Sequence, residues 1–80
     1  MTVRQTVSML GYGHHYQLIG ARTGNKLANS WTNSKSIGQF DDCEVPDKNA
    51  IFASFRTSKA YITGVTEAVY PIINIWVSGK

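Results

Sequence analysis

One cysteine and two prolines in 80 residues exclude several ways of building a small protein. Cys43 has no second cysteine to pair with, so no internal disulfide can brace the chain. A lone thiol and the lack of any Asn-x-Ser/Thr glycosylation signal lead to an expectation of a reducing compartment. Met1-Thr2-Val3-Arg4-Gln5 lacks the apolar core of a signal peptide, and the expected location is the cytoplasm. Long apolar runs are missing too. Pro71 and Asn74 interrupt the longest, which falls short of the roughly 20 apolar residues that span a bilayer, so no membrane partner is expected. Residues 1–80 make one domain, and a chain this short has a thin stability margin. Without a disulfide to widen it, self-association into a homo-oligomer is the expected remedy.

Acidic charge is scarce outside one place. Asp41, Asp42, Glu44 and Asp47 fall in a single short segment and Glu67 stands apart, against eight Lys and Arg along the chain. The net charge of +3 therefore describes a basic body with an acidic patch. Such a body attracts polyanions, above all phosphate backbones. Spread-out lysines also keep sheet edges soluble, so the charge tilts the reading toward nucleic acid without deciding it.

What the chain has in quantity is β-branched and aromatic residues, concentrated in Ala50–Ser78 and alternating with small or polar ones, the pattern of a half-buried sheet. Thr2–Leu10 sets Val3, Gln5, Val7 and Met9 against Thr2, Arg4, Thr6 and Ser8 and is read as a first strand. Gly11-Tyr12-Gly13 breaks it. His15–Arg22 and Lys26–Thr32 are read as a hairpin around Thr23-Gly24-Asn25. In the middle, Ile37 and Phe40 fit a single helical turn near residues 34–40, capped by Ser34 or Ser36. Pro46-Asp47-Lys48-Asn49 is a turn signal that folds a brief Cys43–Val45 strand back against Ala50. Ile51–Arg56 reads as a strand and Thr57-Ser58-Lys59 as a turn. Ala60–Tyr70 fits both strand and helix spacing, with Thr63, Gly64 and Thr66 favouring strand. Pro71 marks a bend or an edge, and Ile72–Ser78 closes the chain with apolar residues on both faces. The expected fold is mainly β: a small antiparallel barrel or sandwich of about six short strands.

Motifs for catalysis are lacking. Gly11-Tyr12-Gly13-His14-His15-Tyr16 is no dinucleotide fingerprint, and Gly20–Lys26 lacks the Gly-Lys-Ser/Thr ending of a phosphate loop. His14 and His15 have no Cys-x-x-Cys or His-x-x-x-His companion spacing, so no metal is assigned. The acidic segment lacks the ligand spacing of an EF-hand. A Cys43–His14 nucleophile pair has neither an orienting third group nor an oxyanion site. No enzyme activity and no cofactor are expected.

The remaining constellation is diffuse. Arg4, Arg22, Lys26, Arg56 and Lys59 lie at strand ends and turns, with Tyr12 and Tyr16 beside them. Cations that track a backbone and rings that stack on bases are what sequence-tolerant single-strand binding needs. The leading expectation is thus a self-associating β-domain that binds single-stranded nucleic acid through these seven residues. The alternative is a protein-interaction module, an inhibitor or adaptor, docking through an apolar and acidic surface. Ile72, Ile75, Trp76 and Val77 are the expected subunit interface, because a chain this short has little with which to cover both faces of its last strand.

Overall fold

The computed structural model describes residues 1–30, 35–58 and 68–80. The chain is mainly β, as expected, but the described residues form an open sheet of four strands with one helix against it and not a closed barrel or an antiparallel sandwich.

The first element corrects the sequence reading. Val3–Leu10 is an α-helix, α1, and not a strand. Val3 and Val7 satisfy a period of two and the helical i, i+4 spacing alike, and the caps decide between them. Thr2 Oγ1 accepts from Gln5 N at 3.2 Å while Gln5 Oε1 accepts from Thr2 N at 2.9 Å, a reciprocal capping box. The next orphan donors find partners in the acidic segment: Val3 N donates to Cys43 O at 3.0 Å and Arg4 N to Asp41 O at 3.1 Å. The first three amides of the helix are thereby satisfied. Gly11, at φ +105°, ends the helix where its amide reaches Val7 O, a backbone setting that disfavours any side chain.

The hairpin forms as read, with β1 at His15–Gly20 and β2 at Lys26–Asn29, antiparallel and joined through Gly24 at φ +76°. Leu27 is the extra residue of a bulge opposite Leu18 and Ile19. A 3₁₀ turn at Ile37–Phe40 occupies the expected helical turn, although Ser36 donates to Asn29 O and does not cap it. Segment 43–45 does not fold back on Ala50. It bridges the helix start instead, with Thr2 paired to Glu44 and Val45 N donating to Met1 O at 2.7 Å. Asp47 accepts from Asn49 N at 2.8 Å and caps a second 3₁₀ turn, Lys48–Ala50.

Strand β3 runs Ile51–Ser58, so the expected turn at Thr57 and Ser58 is part of the strand, and β4 runs Ala68–Val77. Trp31 and most of the Ala60–Tyr70 reading lie outside the described residues. The sheet order is β2-β1-β4-β3, with β4 parallel to β1 and antiparallel to β3. Pro71 is tolerated inside β4 because β1 begins pairing only at Ile72, leaving one side of the strand without a ladder partner at the proline.

Register assigns the faces. Tyr16, Leu18 and Gly20 on β1 lie beside Ile73, Ile75 and Val77 on β4, and this face meets α1. Val3, Val7, Tyr16, Leu18, Val45, Ile75 and Val77 form the core and are nearly inaccessible. Ile75 and Val77, expected at a subunit interface, are buried in the chain's own core; Ile72 and Trp76 point to the opposite face, where Ile72 is likewise buried and Trp76 half-buried. No helix among the described residues is long and apolar enough to cross a membrane.

Candidate nucleic-acid interface

Alternation along the strands sends a second set of side chains to the face away from α1. These are His15, Gln17 and Ile19 from β1, Phe52, Ser54 and Arg56 from β3, and Tyr70, Ile72, Asn74 and Trp76 from β4. Two ring pairs form there. Phe52 and Trp76 have centroids 6.0 Å apart at 31°, and His15 and Tyr70 lie 4.8 Å apart at 47°. Between the pairs, Asn74 is buried, and its amide donates to Ser54 Oγ at 2.8 Å. That bond keeps a polar side chain in a strand of isoleucines without leaving it unsatisfied. Phe52 and His15 are exposed, while Trp76 and Tyr70 are half-buried. Among the described residues no strand contains a carboxylate, and the charged residues of the strands are Lys26 and Arg56. The described acids all lie in the connection between Ile37 and Ala50. Asp41 pairs there with Arg4 at 3.3 Å, and Glu44 with the terminal amine at 3.1 Å.

The second feature is a cavity of about 390 Å³ on the helix side, lined by Arg4 and Val7 of α1, Tyr12 and His14 of the following loop, Tyr16 and Ser30 of the hairpin, and Ile37, Gly38 and Asp41. Two hydrogen bonds fix its back wall: Ser30 Oγ accepts from Tyr16 N at 2.7 Å, and Ser30 N donates to Tyr16 O at 2.9 Å. The Tyr16 hydroxyl donates to the Gly11 carbonyl, tying the loop to β1. Burial, with Tyr12 as a second cause, pushes the Tyr16 hydroxyl above its ordinary value of 10.0. Tyr12 stands at the rim, 79% exposed, its hydroxyl 3.0 Å from Ser8 Oγ. His14 meets the Tyr16 ring edge-on at 6.3 Å.

The seven residues selected from the sequence do not gather in one place. Arg4, Tyr12 and Tyr16 share the cavity, but Tyr16 is buried at 2% exposure, so its ring has no free face for a base. Arg22 and Lys26 sit at the hairpin turn, at the other end of β1 from His15. A six-residue strand separates those ends by roughly 17 Å. Arg56 lies beside Tyr70 on the far face. Lys59 lies outside the described residues. Sequence reasoning missed the ring pairs: the parallel β1–β4 register sets His15 beside Tyr70, and the antiparallel β3–β4 register sets Phe52 diagonal to Trp76. Among the described residues, no three His, Cys, Asp or Glu side chains are placed to hold a metal ion.

Comparison with known protein families, with curated proteins and with solved structures finds no match for this chain.

Proposed function

We propose that the protein binds single-stranded nucleic acid on the far face of its sheet. The observation that carries this reading is the pair of ring clusters, Phe52–Trp76 and His15–Tyr70, on strands that contain no carboxylate. Bases stack on Phe52 and Trp76, and Lys26 and Arg56 follow the phosphates at either end of the sheet. Stacking on an aromatic side chain contributes about 1–3 kcal/mol per base and tolerates any base. Electrostatics supply a smaller share here than the net charge suggests, since only two strand cations flank the rings.

Fluorescence anisotropy with a labelled 12-mer oligothymidine tests this. Affinity should fall with added salt at a shallow slope, about 0.7 per phosphate contacted. Phe52→Ala should weaken it roughly tenfold or more. An oligonucleotide that does not bind at low ionic strength, or that binds the Phe52→Ala variant equally well, removes the proposal.

A second reading, docking of another protein or a second copy, is favoured by Phe55 and Val69. These are 75% and 63% exposed, and the register makes them diagonal neighbours on the outer β3–β4 ribbon. Sedimentation velocity that finds only monomer at about 100 μM, well above the Kd of a specific dimer, excludes the self-association arm.

A further inference from the structure

The cavity on the helix side is built differently from the stacking face, and its chemistry is more selective. Its walls are apolar and aromatic, from Val7, Ile37, Tyr12, His14 and Tyr16, and its charged groups are one donor and one acceptor held side by side. Arg4 and Asp41 meet through a single contact, NH2 to Oδ2 at 3.3 Å. A bidentate pair would spend both groups on each other; this one leaves other guanidinium donors and the second carboxylate oxygen directed elsewhere. Both backbones are rooted, because Arg4 N donates to Asp41 O at 3.1 Å, so the two side chains reach the cavity from fixed starting points. Ser30 Oγ, already accepting from Tyr16 N, is oriented with its own proton available.

We infer that this cavity is a recognition pocket for one unstacked base, and that the base is guanine. The inference rests on the single-strand reading given above. Its volume of about 390 Å³ is at the small end for ligand sites and suits one heterocycle. Single-stranded segments are read by splaying a base out, stacking it on an aromatic ring and bonding its Watson–Crick edge. An Arg–Asp pair demands an edge with an acceptor beside donors. Guanine offers a carbonyl oxygen for Arg4 and a ring N–H with an adjacent amine for Asp41. Uracil offers the carbonyl and the N–H but lacks the amine. Adenine and cytosine place an amine where Arg4 requires an acceptor. Tyr12, exposed at the rim, is positioned to close over the ring. The route between the two sites is short: His14 of the loop lines the cavity, while its neighbour His15 opens β1 on the far face.

The test is an amide-resolved NMR titration of the intact chain with guanosine, uridine, adenosine and cytidine, run beside the oligothymidine anisotropy. Guanosine should shift the signals of Arg4, Val7, Gly38 and Asp41, with uridine weaker and adenosine and cytidine without effect at the same concentration. Asp41→Asn should weaken guanosine at least tenfold. Arg4→Ala should abolish the preference for guanosine over adenosine, and each variant's circular dichroism is to match that of the wild type. Equal shifts from all four nucleosides, or no shift in these residues from guanosine, overturn the inference. Guanosine binding without oligothymidine binding defeats the stacking-face reading and leaves the pocket standing. Oligothymidine binding without guanosine binding does the reverse.

Discussion

Ile75 and Val77 point from β4 toward α1 and lose all contact with solvent, whereas Trp76 between them points the other way and stays half-exposed beside Phe52. Around Val3, Leu18, Ile75 and Val77 the helix-side face is closed by apolar side chains, and the buried Thr6 hydroxyl donates to the Thr2 carbonyl at 2.9 Å. The far face keeps an amide, Asn74, at its centre and rings around it. One strand thus serves both faces, and the difference lies in what each face is asked to exclude. The first excludes water in order to fold. The second buries Ile72 and Asn74 at its centre and leaves Phe52 and His15 exposed at its margins.

Changes on the helix side should cost stability in proportion to the volume removed. Leu18 is fully buried between α1 and the sheet, and Leu18→Ala should lower the unfolding free energy by about 2–5 kcal/mol in a urea titration. A loss under about 1 kcal/mol would mean that the helix does not seal this face. Thr2→Ala removes one half of the capping box and should cost about 1 kcal/mol by the same measurement, with no effect on ligand affinity at the far face.

The smallest change concerns the boundary between the two regions. The folded chain holds the Tyr16 proton above the ordinary value of 10.0, so between that pH and the raised value the unfolded chain binds fewer protons than the folded one. The associated stability is complete below about pH 10 and is lost as pH rises toward the folded-state value. Thermal melts of the wild type should therefore fall away more steeply above about pH 10 than those of Tyr16→Phe, which should itself be about 1 kcal/mol less stable near neutrality. Parallel curves for the two proteins would show that the hydroxyl bonded to Gly11 is not what titrates.

The elements legible in the sequence were those with a single consistent period. The β1–β2 hairpin announces itself through Thr23-Gly24-Asn25, Ile51–Arg56 alternates, and Ile72–Val77 shows itself as an isoleucine-rich run apolar on both faces. The helix was hidden because valines four apart fit either period; the signal that separates them is Thr2 followed three positions later by Gln5, a capping box in front of Val3. Pro71 suggested an edge, and in a sense it found one, since half of β4 lacks a second neighbour at that point. The oddity of Gly11–Tyr16 was visible locally. Its role as a cavity wall was not, because Arg4 and Asp41 meet only after the acidic segment satisfies the helix amides. The ring pairs of the far face were equally hidden: the parallel register that sets His15 beside Tyr70 is fixed by tertiary packing and leaves no turn residue to read, and a one-residue slip between β3 and β4 would part Phe52 from Trp76.

Placing β4 between β1 and β3 also dictates the order in which the sheet can assemble. His15 pairs with Ile72 and Gly20 with Val77, partners from opposite ends of the chain, and loop closure must be met before any of those contacts forms. On the ribosome the β1–β2 hairpin can close as soon as it emerges, but β3 waits, as an unpaired edge strand, for β4 to be synthesised. During that interval Phe52 and Phe55 are exposed on a strand with no neighbour. Their liability to aggregate is then set by the rate at which the last strand arrives and not by the stability of the finished fold.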